Sequence, residues 1–158
     1  MTTTATTARR ELCYGSLDEV LADAERLAKG KVRTLGQWTY PQILDHLGKS
    51  IVASMDGYGF KAPWLVRVFI APLAKNSFLT KPMKPGFKLP SSATAILPGS
   101  DVSLQATLEG LRKAIARLKV EPSRAPHPFL GSLADQEYTA LHLRHSELHM
   151  GFVVPETA

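Results

Sequence analysis

The chain of 158 residues has a single cysteine, Cys13. An internal disulfide is therefore excluded, and so is a cluster of thiolates around a metal ion. No motif surrounds Cys13, and it reads as a buried or inert thiol rather than a nucleophile. Long apolar runs are also missing. The most apolar stretch, residues 64–74, is too short to span a bilayer and contains Arg67 and Pro72. Residues 1–7 form a Thr/Ala tract followed by Arg9 and Arg10, without the apolar run of a signal peptide. These absences lead to the expectation of a cytoplasmic protein with no membrane partner. Charge of one sign does not dominate either. The net charge is +5, from 19 basic and 14 acidic side chains, and the basic residues are spread along the chain. No nucleic-acid motif accompanies them, so no nucleic-acid partner is expected; that reading would need a basic face and a steep salt dependence. No internal repeat is present, and no segment of any length alternates as a strand would.

What is there is helical. The apolar fraction of 44% against 21% charged suits a globular fold, and the length suits one domain over residues 1–158. Ser16-Leu17-Asp18-Glu19 is a capping-box pattern. Leu17, Val20, Leu21, Ala24, Leu27 and Ala28 follow at helical spacing until Gly30 ends the helix. Thr39-Tyr40-Pro41-Gln42 is a second capping box, with its proline in the first turn, where the missing N–H costs nothing. Ile43, Leu44, Leu47, Ile51, Val52 and Met55 continue that helix toward Gly57, and Trp38 is placed to fold back on its first turn as a staple.

Residues 63–75 read as a short helix that Pro72 kinks or ends. Residues 76–99 contain Pro82, Pro85, Gly86, Pro90, Pro98 and Gly99, too many breakers for regular structure. Lysines and aromatics interleave there, and loops of this length often act as lids. A third long helix is predicted over residues 101–119 and a last one over residues 134–152. Four long amphipathic helices and one short one argue for an all-α, antiparallel four-helix bundle with a long Pro/Gly-rich loop.

The histidines carry the chemistry. His145 and His149 are four apart, so their side chains share one helix face, one turn from each other. That spacing lets two imidazoles reach one metal ion. His142 lies one turn earlier on roughly the same stripe. His46 sits inside the apolar pattern of the second helix, beside Ile43, Leu47 and Ser50. Three neutral imidazoles on facing helices would hold a borderline divalent ion such as zinc or nickel and leave a coordination position open, the composition of a catalytic site. The plainer alternatives stand beside this. An i, i+4 histidine pair often faces solvent and binds nothing, and a lone core histidine is often only hydrogen-bonded.

The segment Trp38-Thr39-Tyr40-Pro41-Gln42-Ile43-Leu44-Asp45-His46-Leu47 resembles the second-helix signature of the DinB-like superfamily. Leu143-Arg144-His145-Ser146-Glu147-Leu148-His149-Met150 resembles that superfamily's last-helix HxxxH motif. Lys84-Pro85-Gly86-Phe87-Lys88-Leu89-Pro90 and His127-Pro128-Phe129-Leu130-Gly131-Ser132-Leu133 resemble segments of one member family, the domain of unknown function DUF1569. The four matches occur in family order. The resemblance implies a four-helix bundle holding a metal on His46, His145 and His149. Relatives include thiol-cofactor S-transferases, mycothiol-dependent maleylpyruvate isomerases and other metal-dependent enzymes. One departure stands out. Relatives in the narrower family often carry another histidine just before the last one, where this chain has Leu148. The HxxxH pair survives, while a proton-transfer role for that neighbour is put in doubt. His142 is an alternative on the same stripe, read as a surface residue or a support behind the ligands.

Three functions follow. The first is a metal-dependent transferase or hydrolase acting on a small-molecule substrate, with a low-molecular-weight thiol as a candidate co-substrate. Ser50 and Tyr138 would orient the substrate, and the loop over residues 78–88, with Phe87, would cover the pocket. The alternative for that loop is a surface segment that packs Phe78 and Phe87 into the core. The second function is a non-catalytic, metal- or ligand-binding or stress-related bundle. The third is the basic nucleic-acid partner set aside above. Pairing into a homodimer is left open.

Overall fold

The structure, a computed structural model, describes residues 8–156. The Thr/Ala tract at residues 1–7 lies outside the described residues. The elements run α1 (Leu17–Ala28), β1 (Val32–Thr34), α2 (Tyr40–Asp56), a π turn (Val66–Ile70) leading into α3 (Ala71–Thr80), α4 (Leu104–Val120), α5 (Asp135–Met150) and β2 (Val153–Pro155). The fold is mainly helical, and its one sheet among the described residues is a two-stranded ribbon.

Helix starts follow the capping chemistry. The Thr39 hydroxyl accepts from the Gln42 N–H, and the Gln42 side chain accepts from the Thr39 N–H, a complete capping box on α2. On α1 the Ser16 hydroxyl accepts from the Glu19 N–H, but the Glu19 carboxylate reaches past the cap to the Gly15 N–H at 2.8 Å. α4 begins at Leu104, later than the expected residue 101, because the Ser103 hydroxyl caps it by accepting from Ala106 N–H.

Several expectations need correcting. The short helix does not end at Pro72: helical structure runs from residue 64 to Thr80. Proline lacks an N–H and its ring clashes with the carbonyl one turn back. The chain absorbs this by widening the turn just before it, where the Ala71 N–H bonds the Val66 carbonyl five residues earlier. The second correction concerns strands. β1 pairs antiparallel with β2, in the register Val32↔Pro155, Arg33↔Val154 and Thr34↔Val153. The last helix was expected to reach residue 152, but it stops at Met150 so that the chain can join this ribbon. Three residues per strand are too few to show an alternating pattern.

The core lies between α1, α2 and α4. Ile43, Leu44, Leu47 and Ile51 of α2 pack with Leu111, Ala114, Ile115 and Leu118 of α4 and with Val20, Ala24 and Leu27 of α1. Each fully buried Leu, Ile or Val contributes roughly 1.5–3 kcal/mol. α2 and α4 approach closely; a Cβ on Gly48 would stand 3.5 Å from the Leu111 backbone. α5 closes the other side of α2, and α3 packs on α5 through Phe78 and Leu79, which meet Leu133, Tyr138 and Leu141. Among the described residues, no helix is long and apolar enough to cross a membrane.

The Pro/Gly-rich segment divides in two. Residues 76–80, expected as loop, belong to α3. Its far half folds back on α2, where Ala93 and Ile96 are buried with Ala53 and Tyr58. Backbone bonds from Ala93 N to Pro90 O and from Ile96 N to Ala93 O hold that half in consecutive turns. Between the halves Phe87 points to solvent at 82% exposure, so it does not pack into the core, whereas Phe78 does. Cys13, read as buried or inert, is exposed.

Candidate metal centre

α2 presents His46, Ser50 and Ser54 at four-residue intervals, and α5 presents Tyr138, His142, His145 and His149 at intervals of four, three and four. Both spacings put each set on one helix face. Facing each other, they make a polar seam through an otherwise apolar interior.

The upper end of the seam is the histidine cluster. His46 is 2% exposed, while His145 and His149 keep partial exposure. One nitrogen from each of the three lies within 4.8 Å of the others. His46 Nε2 stands 3.1 Å from His145 Nε2, and the ring of His149 sits 4.7 Å from that of His46 and 4.6 Å from that of His145.

The tautomer of His46 follows from its other nitrogen. Nδ1 lies 2.6 Å from the Ile96 carbonyl, which can only accept, so Nδ1 carries the proton and Nε2 its lone pair. A backbone carbonyl behind a histidine is the usual support of a metal ligand. Burial lowers the pKa of all three rings. For His149 burial, then the neighbouring His46 and Arg9, bring it to about 3. The imidazoles are therefore neutral at neutral pH, the form that ligates.

These residues fit a divalent ion. Two nitrogens bound tetrahedrally to one zinc at about 2.0–2.1 Å stand about 3.3–3.4 Å apart, close to the His46–His145 separation. An all-imidazole donor set suits zinc or nickel over magnesium or calcium.

The remaining candidates fall elsewhere. Ser50 is buried beside His46, but its hydroxyl donates to the His46 carbonyl at 2.7 Å, within its own helix. Tyr138 lies at the far end of the seam, fully buried, with its hydroxyl donating to the Ala125 carbonyl. Burial raises its phenol to about 12. Phe87 is in the exposed loop and is not among the cluster's ring contacts.

His142 is not at the surface: it is 3% exposed. Its Nε2 donates to Ser54 Oγ at 3.1 Å, because the Ser54 proton already goes to the Ile51 carbonyl at 2.6 Å. Its ring stacks on Tyr138 at 5.8 Å. Desolvation, with smaller contributions from His127 and Arg124, lowers its pKa to about 3. His142 thus continues the seam behind the cluster.

Two participants escaped the sequence reading. Trp38, expected as a staple, lays its ring over His149 at 5.5 Å in a stacked arrangement and against His46 at 4.8 Å. Its position just before the α2 cap was the available signal. The Ile96 carbonyl had none, since backbone atoms carry no residue identity. A surface depression of about 790 Å³ lies between α2 and α4, lined among others by Asp45, Lys49, Thr107 and Leu111, and does not include the histidines.

The sequence profile of a family described as "Protein of unknown function (DUF1569)" matches residues 6–156. No curated protein and no solved structure matches the chain. With a match over nearly its whole length, the chain belongs to the DUF1569 family.

Proposed function

We propose that this chain is a metal-dependent enzyme of the DinB-like superfamily, built as an antiparallel four-helix bundle with one divalent ion on His46, His145 and His149. The observation that carries this reading is the pair of hydrogen-bond assignments on His46. Its Nδ1–H is taken up by the Ile96 carbonyl, which leaves Nε2 as a free lone pair facing His145 at 3.1 Å. A histidine that served the core alone would not need a second imidazole at its remaining nitrogen.

Zinc or nickel held there would supply Lewis acidity, lowering the pKa of a water or thiol and stabilising developing oxyanion charge. The protein's own residues set the conditions. The Ile96 carbonyl fixes the His46 ring and raises its basicity as a ligand. Trp38 stacks on His149 and packs against His46, covering one side of the cluster. Burial keeps the three rings neutral. The reaction we infer is transfer or hydrolysis on a small-molecule substrate, with a low-molecular-weight thiol as co-substrate.

One observation favours a second reading, a bundle that binds metal or ligand without catalysis. The Ser50 and Tyr138 hydroxyls both donate to backbone carbonyls, so neither is free for proton transfer at the cluster. Elemental analysis of the purified protein and of His46→Ala tests the site. A screen of thiol-dependent transfer with the metal-loaded protein then separates the two readings. Bound metal with no turnover on any thiol acceptor pair would favour the non-catalytic one, and metal-free protein that zinc and nickel fail to stabilise would remove the enzyme reading and the metal from the second.

A further inference from the structure

The segment from Gly57 to Ser100 contains no acidic residue and six basic ones, Lys61, Arg67, Lys75, Lys81, Lys84 and Lys88. Among the described residues, only Lys75 of these six makes a salt bridge, to Glu137 at 2.7 Å. The same segment carries most of the large hydrophobic side chains exposed among the described residues. Trp64, Leu65, Val68, Phe69, Ile70 and Leu73 are 53–86% exposed.

Their spacing is ordered. Trp64, Leu65, Val68, Phe69 and Leu73 recur one and four residues apart, the outer stripe of the helix over residues 64–80. The opposite stripe faces inward: Ala71 is 2% exposed, and Phe78 and Leu79 pack on Leu133, Tyr138 and Leu141. Beyond Leu73 the outer stripe turns polar, with Asn76, Ser77 and Thr80 exposed. A contiguous apolar face on the outside of a helix marks a contact surface.

We propose that this face docks on an anionic lipid surface. The apolar stripe enters the boundary between headgroups and acyl chains, and the basic residues at its ends meet the headgroup phosphates. The composition is that of a helix lying in the interface plane, with Trp, Phe and Leu on one side and Lys and Arg around them. Tryptophan prefers that depth, because its ring is apolar and its N–H is not. Unpaired lysines near a membrane surface each add attraction to anionic lipids. Charge complementarity decides against a second copy of the chain. Two-fold pairing would set a face without a single carboxylate against itself, with like charges opposed at both ends. The expectation of no membrane partner came from the lack of a spanning helix, and spanning is a different matter from lying on the surface.

The test is co-sedimentation of the full chain with phosphatidylcholine vesicles, with and without phosphatidylserine. Binding is expected to the anionic vesicles, weakening as salt is raised, with little binding to neutral ones. Phe69→Glu with Leu73→Glu should weaken it by about tenfold or more, and Lys81→Glu with Lys84→Glu by about tenfold. All four positions are exposed. These variants should therefore keep parental circular dichroism and zinc uptake, which separates lost docking from lost folding. Equal binding to neutral vesicles, or no binding to either, overturns the proposal. A parent that ignores vesicles and sediments as a dimer that Leu73→Glu dissociates overturns it as well, and assigns the face to a second copy.

Discussion

The seam between α2 and α5 and the helix over residues 64–80 reverse the usual arrangement in opposite directions. The seam puts seven polar side chains, four of them histidines, where a helical protein normally puts leucine. The helix puts tryptophan, phenylalanine and leucine where it normally puts lysine and glutamate. Each inversion costs stability: burying a polar group costs unless it is hydrogen-bonded, and exposed apolar area forgoes the gain of burial. The seam offsets its cost internally, through His46 to Ile96, Ser50 to the His46 carbonyl, His142 to Ser54 and Tyr138 to Ala125. Among the described residues the helix has no such compensation. The first region matches the proposed ion site and the second the proposed docking face.

Acid should break the comparison most strongly, because it strikes buried histidines in the seam and near it and leaves the outer helix untouched. Burial holds the pKa of His142 to about 3 and that of His127 to about 4. Between the unfolded value near 6.5 and these folded values, the unfolded chain binds more protons than the native one. Stability present at neutral pH is therefore lost as pH falls through that window. Each such histidine removes about 1.4 kcal/mol per pH unit. Urea unfolding of metal-free protein at pH 7 and pH 5 should show a loss of several kcal/mol, and His142→Gln should flatten the slope. An unchanged midpoint at pH 5 would mean that the seam is open to water.

Ligand removal ranks next. His145→Ala and His149→Ala should each remove most of the affinity for zinc or nickel in a calorimetric titration. His46→Ala should do nearly as much while the protein stays helical, since alanine suits a helix interior. Undiminished affinity in His46→Ala would reduce the cluster to a surface pair on α5. Affinity in the parent should fall as pH drops, because protonated imidazole cannot ligate.

Smaller effects separate the seam from the core. Ser54→Ala leaves the buried Nε2–H of His142 without an acceptor and should cost about 1–3 kcal/mol by urea unfolding. Leu111→Ala, in the apolar core, should cost about 2–5 kcal/mol through the cavity it leaves. The outer helix should respond least. Trp64→Ser or Leu73→Ser should shift stability by no more than about 0.5 kcal/mol, because neither side chain is buried. A loss of 2 kcal/mol there, on the scale of a buried side chain, would show that the stripe is covered within the molecule.

The two regions were also unequally legible. The outer helix was visible as an apolar run, but its direction was not, since helical spacing shows that a stripe exists and not which way it faces. Pro72 pointed to a break because a π turn, which accommodates it, leaves no mark in local composition. The seam was legible in its residues: His46, His145 and His149 stood out by spacing and by resemblance. α5 nevertheless has little apolar asymmetry, because its buried residues mix His142, Ser146 and Glu147 with Leu141, Leu143 and Met150.

What the sequence determined by itself is what depends on near neighbours along the chain. Ser16, Thr39 and Gln42 specify helix starts through bonds spanning three residues, and His145 and His149 share a face through one turn of α5. What only the tertiary structure decided depends on atoms far apart in sequence. The His46 tautomer is set by a carbonyl 50 residues away and its partner imidazole lies 99 residues away. His142 is buried against a serine 88 residues distant, and β2 finds β1 across nearly the whole chain. The physical reason is the same in each case. A cap or a helical stripe is fixed by local backbone geometry, whereas the meeting of two faces depends on how every other face of the chain is buried.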